Sequence, residues 1–349
     1  MVKRTDLLKK PIKQMDLEKI ETVRDLVEAF KGASIQARSM GECADVYESM
    51  LTDRDRPTIF LGLSGALIAG GLRKVIRDMV EYGLVDVIAS TGAVMYQDFY
   101  QARGYQHYKG DPAMDDVMLR DFAIDRIYDT LVDEDKFQET DREIAKITES
   151  LEPREYSSRE IMTMLGKVAA SDPNSILGAA YKRGVPIFSP ALNDSSIGIG
   201  LTLYHAKHRL GKHAVLNSIK DNYELLSIIY KSKKTSAVYI GGGTPKNWVN
   251  DGVVMANYTF DREIEGHSYA IQLTVDAPHW GGLSGSTLKE AQSWGKVDRK
   301  ATKAMCYVEA TIGLPLLVGY LMQNGKWKGR KPLKYSWDKT GELKSLGTK

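Results

Sequence analysis

Late in the chain, Gly285-Ser286-Thr287-Leu288-Lys289-Glu290-Ala291-Gln292-Ser293-Trp294-Gly295-Lys296 sets one lysine two residues from a tryptophan and six from a carboxylate. An amine pressed against an indole loses hydration, and that loss favours the neutral amine. A neutral amine attacks imines and carbonyls and can carry a covalent intermediate. Spacing alone leaves a second reading open, with Trp294 a core aromatic and Lys296 a solvated charge at a strand end.

Such chemistry needs elements to position it. Thr58-Ile59-Phe60-Leu61 reads as a short buried strand, Gly62 to Gly65 as a tight turn, Ala66 to Tyr82 as an amphipathic helix and Leu84 to Ala89 as the next strand. Two buried strands joined by a helix make a βαβ unit and a parallel sheet. The pattern recurs at Ser90-Thr91-Gly92-Ala93, at Val185 to Pro190 before Asn193-Asp194, at Ser236 to Ile240 before Gly241-Gly242-Gly243, and at Tyr269 to Thr274. Strands that end in Gly, Ser, Thr or Asp turns imply a doubly wound α/β fold, whose ligands bind beyond the carboxyl ends of the strands. Helical spacing runs from Asp25 to Phe30 and from Ala44 to Leu51, and residues 111–180 read as polar, helical and strand-poor. The expected organisation is a charged N-terminal arm over 1–20, one catalytic domain over 21–335 and a tail over 336–349.

Composition narrows the classes. A net charge of +3 in 349 residues gives no nucleic-acid stripe, and the basic stretch Lys326 to Lys334 is short and interrupted. Cys43 and Cys306 lie far apart with no metal-ligand spacing, which fits a reducing compartment. With neither an apolar leader nor an apolar run of membrane length, the expected setting is cytoplasmic, with no membrane or nucleic-acid partner.

The turn after Thr58–Leu61 carries Gly62, Gly65, Gly70 and Gly71, which matches neither GxGxxG nor a P-loop. Repeated glycine turns in one α/β domain still suit a nucleotide's pyrophosphate. Asp194 can bind a ribose hydroxyl or an amine, or cap the following helix. His205, His208 and His213 sit on a basic stretch and read as surface.

Taken in order, Thr58 to Gly62, Val85-Asp86-Val87, Ser90-Thr91-Gly92, Pro186 to Asp194, Gly241-Gly242-Gly243 and Glu290 to Lys296 resemble the deoxyhypusine synthase family, over roughly residues 20 to 325. Homospermidine synthases of plants share these segments. The resemblance implies a Rossmann-like α/β subunit, NAD as cofactor, a homotetramer with active sites at dimer interfaces, and a reaction that oxidises a polyamine such as spermidine. It further implies that the aminobutyl group passes to Lys296 and then to an acceptor, either a protein lysine or a small amine. Trp294 and Glu290 match the amine pocket. Ser64, Gly65, Thr91, Gly92, Ala93, Asp194, Gly242, Gly243, Ser284, Glu309 and Ala310 fall on cofactor positions, with Glu309 in place of the family's aspartate.

Departures from the family pattern concern the amine side. Ile199, Trp280 and Leu283 stand where acids are usual, Asn247 replaces a histidine, and Gln97 replaces a glutamate. Burying an unpaired ammonium is unfavourable, so Asp276 and His279 become candidates to receive the amine, with a structural role for both equally open. The expected activity is NAD-dependent alkylamine transfer through Lys296, with spermidine, putrescine or agmatine as donor. The other readings are an amine dehydrogenase that does not need Lys296, and a non-catalytic NAD-binding protein that has little need of Lys296, Trp294 and Glu290.

Overall fold

The computed structural model describes residues 3–348. Six strands form the central sheet: β1 (Thr58–Leu63), β2 (Val87–Ser90), β3 (Ile187–Phe188), β4 (Thr235–Ile240), β5 (His267–Thr274) and β6 (Val297–Tyr307). They lie in the order β6-β5-β4-β1-β2-β3, and every pair is parallel. Every residue of β1 and β4 is buried, as expected for central parallel strands covered on both faces. The order reverses between β1 and β4, which makes the crevice above them the topological switch point of a doubly wound sheet.

Seven helices matter for the site: α1 (Val23–Gly32), α2 (Ile35–Thr52), α3 (Arg73–Glu81), α4 (Gly92–Ala102), α5 (Ser196–His208), α6 (Gly243–Phe260) and α7 (Ala310–Asn324). On one face Met40 and Tyr47 of α2, Ile76 of α3, Phe99 of α4 and Leu317 of α7 pack against Ile59 and Leu61. On the other, Trp248 and Val249 of α6 join Leu225 against Phe60 and Tyr239. The alternation of β1 side chains between these two cores is the period-2 geometry of a strand.

Three elements differ from the sequence-based expectation. The helix expected from Ala66 begins only at Arg73. Ala66 to Leu72 forms turns instead, with Gly71 at φ +84° and Gly70 so close to α7 that a Cβ there would lie 2.7 Å from Thr311 Cγ2. Within the region 111–180, expected to be strand-poor, Ile124–Ile127 and Thr130–Asp133 pair with each other and with Tyr108–Lys109 just before it in a small antiparallel sheet. The sixth strand was not foreseen, because Asp298, Arg299, Lys300 and Lys303 break the apolar run of an edge strand whose outer side chains face solvent.

The C-terminal stretch pairs Leu333–Trp337 with Leu343–Thr348 in an antiparallel hairpin that crosses residue 336, and Leu343 is buried. Just upstream, Arg330 and Arg56 both bind the buried carboxylate of Asp86, which also accepts from the Ile59 amide at 2.9 Å. Burial would push that carboxyl up, but Arg330 and Arg56 outweigh it and hold it below its ordinary value. The Tyr335 hydroxyl donates to the Asp86 carbonyl at 2.9 Å.

Candidate active site

At the switch point a cavity of about 790 Å³ opens above the strands' carboxyl ends. Ser64 and Gly65 line it after β1, Gly242 after β4, Asp276 after β5, and Glu309 and Ala310 after β6, with Ser284 as a further wall. Glycine is required where the walls meet. Gly241 sits at φ +71°, and a Cβ on Gly242 would lie 2.4 Å from the Ser284 Cα. Ser64 Oγ accepts from the Gly242 amide at 2.8 Å, and Ser284 Oγ from the Gly243 amide at 3.0 Å. These two amides therefore shape the crevice and are not open to a ligand. Among the described residues the amides of Gly65 and Ala66 have no protein acceptor, and they are the ones suited to an anion. Buried Gln272 donates to the carbonyls of Gly241 and Ser284 at 2.9 and 2.8 Å and locks both walls. Glu309 caps α7 through one carboxylate oxygen, at 2.8 Å from the Thr311 amide; the other has no protein partner among the described residues and suits a ribose hydroxyl.

Thr91, Gly92, Ala93 and Asp194 stand at the ends of β2 and β3, beside the cavity rather than in its wall. The Thr91 amide donates to the Leu63 carbonyl at 3.1 Å, which ties this turn to the end of β1. Gly92 faces Ser195 so closely that a Cβ would lie 2.2 Å from its Oγ. Ser195, not Asp194, caps α5, so the Asp194 carboxylate is exposed and uncommitted among the described residues. Gln97 Oε1 accepts from the Ala69 amide at 3.2 Å and steadies the turn over the cavity.

Lys296 owes its place to the end of the short helix Glu290–Ser293. Gly295 takes φ +73°, its amide bonds to the Gln292 carbonyl, and the Lys296 amide bonds to the Ala291 carbonyl. This paired closure with a left-handed glycine is a Schellman ending. It turns Lys296 toward α6, where Nζ lies 2.7 Å from Asp251 Oδ1 and 3.3 Å from Asn247 Oδ1. Nζ also stands 5.2 Å from the Trp294 ring centroid, within cation–π range. Asn247 Nδ2 donates to Asp251 Oδ2 at 2.7 Å, which closes the set. The Lys296 side chain is only 15% exposed whereas Trp294 is 66% exposed. The second reading left open by spacing fails on both counts: the indole is not core, and the lysine is not a solvated charge. Glu290 is exposed at the start of the same short helix.

Two residues of this pocket escaped sequence reasoning. Asp251 lies four residues after Asn247, one helical turn on, and that spacing was the available signal. Lys246 is 2% exposed, and its ammonium donates to the Leu283 carbonyl at 3.1 Å and to Ser286 Oγ at 3.0 Å. Burial pushes it down to about 8; Glu290 opposes the shift and Lys296 adds to it. Lys246 thereby pins the loop that carries Ser284.

Lys296, Trp294, Glu290 and Asn247 do not line the cavity, whereas Asp276, expected on the amine side, does. The Lys296 carbonyl accepts from the His267 amide at the opposite end of β5. Along the eight residues of that strand the main chain of Lys296 is set back from the cavity by on the order of 20 Å, but its Nζ reaches Asn247, one turn along α6 from Gly243 at the cavity's edge. Ile199, Trp280 and Leu283 are all exposed, and His279 packs on the Trp280 ring at 4.3 Å between centroids. No helix among the described residues is long and apolar enough to cross a membrane.

Fold and crevice define a doubly wound α/β protein with a cavity at its topological switch point. The model of the deoxyhypusine synthase family matches residues 25–321, and the chain belongs to that family. It is 44% identical over 333 residues to a deoxyhypusine synthase-like protein of Chlorobaculum tepidum, covering 94% of each chain. A deoxyhypusine synthase-like protein of Coxiella burnetii is 42% identical over 335 residues, covering 95% of this chain and 94% of its own. The fold is similar to that of a candidate deoxyhypusine synthase from Entamoeba histolytica, with a TM-score of 0.60 at 18% identity, over 88% of this chain and 96% of that one.

Proposed function

We propose that this transferase is a cytoplasmic, NAD-dependent enzyme that moves an aminobutyl-type group from a polyamine through Lys296 to an acceptor amine. The observation that carries the reading is the Lys296 ammonium held by Asp251 and Asn247 beside an exposed indole. NAD in the crevice would supply oxidation of the donor at the start and reduction of the product at the end. The cradle fits it: free amides at Gly65 and Ala66, a carboxylate oxygen at Glu309, and glycines where a Cβ would intrude.

Asp251 is placed to take the Lys296 proton and free the amine. The Nζ lone pair then attacks the imine carbon of the oxidised donor, the donor's C–N bond breaks, and the departing diamine keeps that nitrogen and a proton. Asn247 orients Nζ, Trp294 walls the methylenes, and Glu290 is a counter-ion for the far ammonium. The acceptor amine displaces Lys296 in the same manner.

Family likeness further suggests a homo-oligomer, a tetramer with active sites at dimer interfaces. Exposed Ile199, Trp280 and Leu283 in place of acids favour a small-molecule acceptor over a protein lysine. Mass spectrometry after borohydride trapping, with NAD and spermidine, putrescine or agmatine in turn, tests the reading. Added mass at Lys296 with one amine is expected. No adduct from any amine, with NADH still bound, would remove the transferase and leave a dehydrogenase or a binding protein.

A further inference from the structure

The outer wall of the cavity comes from a source that none of the strand-end turns requires. Lys109, Ile127, Tyr128 and Thr130 of the small antiparallel sheet line it opposite the glycine turns. Among the described residues that line this cavity, Tyr128 is the sole aromatic and Lys109 the sole cation.

The hairpin tip is braced. Arg126 donates to both oxygens of Asp116 at 2.6 Å each and to the Tyr128 carbonyl at 2.6 Å. The Gly110 amide donates to the Asp129 carbonyl at 2.8 Å and ties the tip to the neighbouring strand. Ile127 pairs with Thr130, so Tyr128 and Asp129 alone make the turn. Tyr128 sits at φ +56°, a region that glycine, asparagine or aspartate enters readily and a bulky side chain does not. Its ring takes no part in the core: the residue is 72% exposed, and its hydroxyl has no partner among the described residues. Neither turn chemistry nor packing accounts for a tyrosine here. Strain at such a tip points to a ligand role when the same residue faces a cavity.

We propose that Tyr128 is the stacking platform for the adenine base of a dinucleotide in this cavity, with the Lys109 ammonium beside it for phosphate. The assignment rests on the nucleotide reading above. Glu309 shares the cavity with the hairpin and offers a carboxylate oxygen to a ribose. The base joined to that ribose gains from a flat partner, and the strand-end walls supply Gly, Ala, Ser, Thr, aliphatic surface and the carboxylates of Asp276 and Glu309, but no ring. Bases stack on aromatic rings with little dependence on sequence or edge pattern, so a tyrosine without a directed hydroxyl suffices.

The test is calorimetric titration of NADH and of ADP-ribose, which lacks nicotinamide, into the wild type, Tyr128→Phe, Tyr128→Ala and Tyr128→Gly. Phe should match the wild type. Ala and Gly should weaken both ligands about tenfold, the scale of a lost base–aromatic stack. The Gly variant should at the same time keep or raise Tm, because glycine accepts the left-handed turn without strain; a structural role would lower affinity and Tm together. Lys109→Gln should weaken both ligands severalfold and flatten the salt dependence. Unchanged binding in Ala and Gly would overturn the proposal, and loss confined to NADH would overturn the adenine assignment. Absence of binding to the wild type would instead remove the nucleotide reading itself.

Discussion

The crevice at the strand ends is made of main chain, whereas the Lys296 pocket is made of side chains reaching across from two elements. In the crevice Gly241 and Gly242 touch Ser64 and Ser284 at distances no Cβ allows, and the serines consume amides that would otherwise hold a ligand. In the pocket only Gly295 is constrained through its backbone; Asp251, Asn247 and Trp294 act through side chains on a preformed helix and a solvent-facing turn. The first kind of site is tied to the fold, and one methyl group deforms it. The second can be rewritten while the fold stands.

The largest effect that follows is at Lys296. Lys296→Ala should abolish the borohydride-trapped adduct and leave NADH affinity within about twofold, since the crevice walls are held by Ser64, Ser284 and Gln272, with which Lys296 shares no hydrogen bond. A comparable fall in NADH affinity would break the division between the two regions. Gly242→Ala sharpens it from the other side. Overpacking against a backbone atom costs about 1–3 kcal/mol, so NADH affinity should drop roughly tenfold to hundredfold. Trapping of a preformed aminoaldehyde on Lys296, which needs no cofactor, should persist.

Lys246 stands between the regions and supplies a pH test. Its folded-state value is pushed down from 10.5 to about 8, so the unfolded chain binds more protons between those values, and stability should rise with pH there. At ~1.4 kcal/mol per tenfold the gain is at most ~3 kcal/mol. Urea unfolding at pH 8 and pH 10 should show it in the wild type and not in Lys246→Met; equal slopes would mean that the ammonium is better solvated than its burial indicates. The smallest effect is at the exposed indole. Trp294→Leu should slow adduct formation only ~2- to 5-fold, matching a solvent-exposed cation–π contact of about 0.5–1 kcal/mol, with Tm unchanged.

The same contrast explains what could be read in advance. β1, β4 and β5 were legible because strands buried on both faces are nearly continuous apolar runs ending in small residues. The turns that line the crevice were legible with them. Edge strand β6 was not, since its charges face solvent, and the helix start at Arg73 was hidden by glycines needed for contact with Thr311. In the pocket, Lys296, Trp294 and Glu290 stood out through their local run. Asp251 and Lys246 did not, because their importance lies in which element α6 faces, and spacing does not encode that. Tyr128 was silent for the same reason: only the folded hairpin brings it to the cavity.

Asp86 has a consequence for how the molecule is made. Its carboxylate sits at the foot of the central strands, bound by Arg56 nearby and by Arg330 244 residues further on. A buried carboxylate short of a partner is strongly unfavourable. On a translating ribosome the first half of the sheet therefore carries an incompletely neutralised charge until Arg330, 244 residues after Asp86, has been synthesised. Domain completion therefore waits on Arg330, and a nascent chain halted before it should remain a client for chaperones, however many of its strands have already emerged.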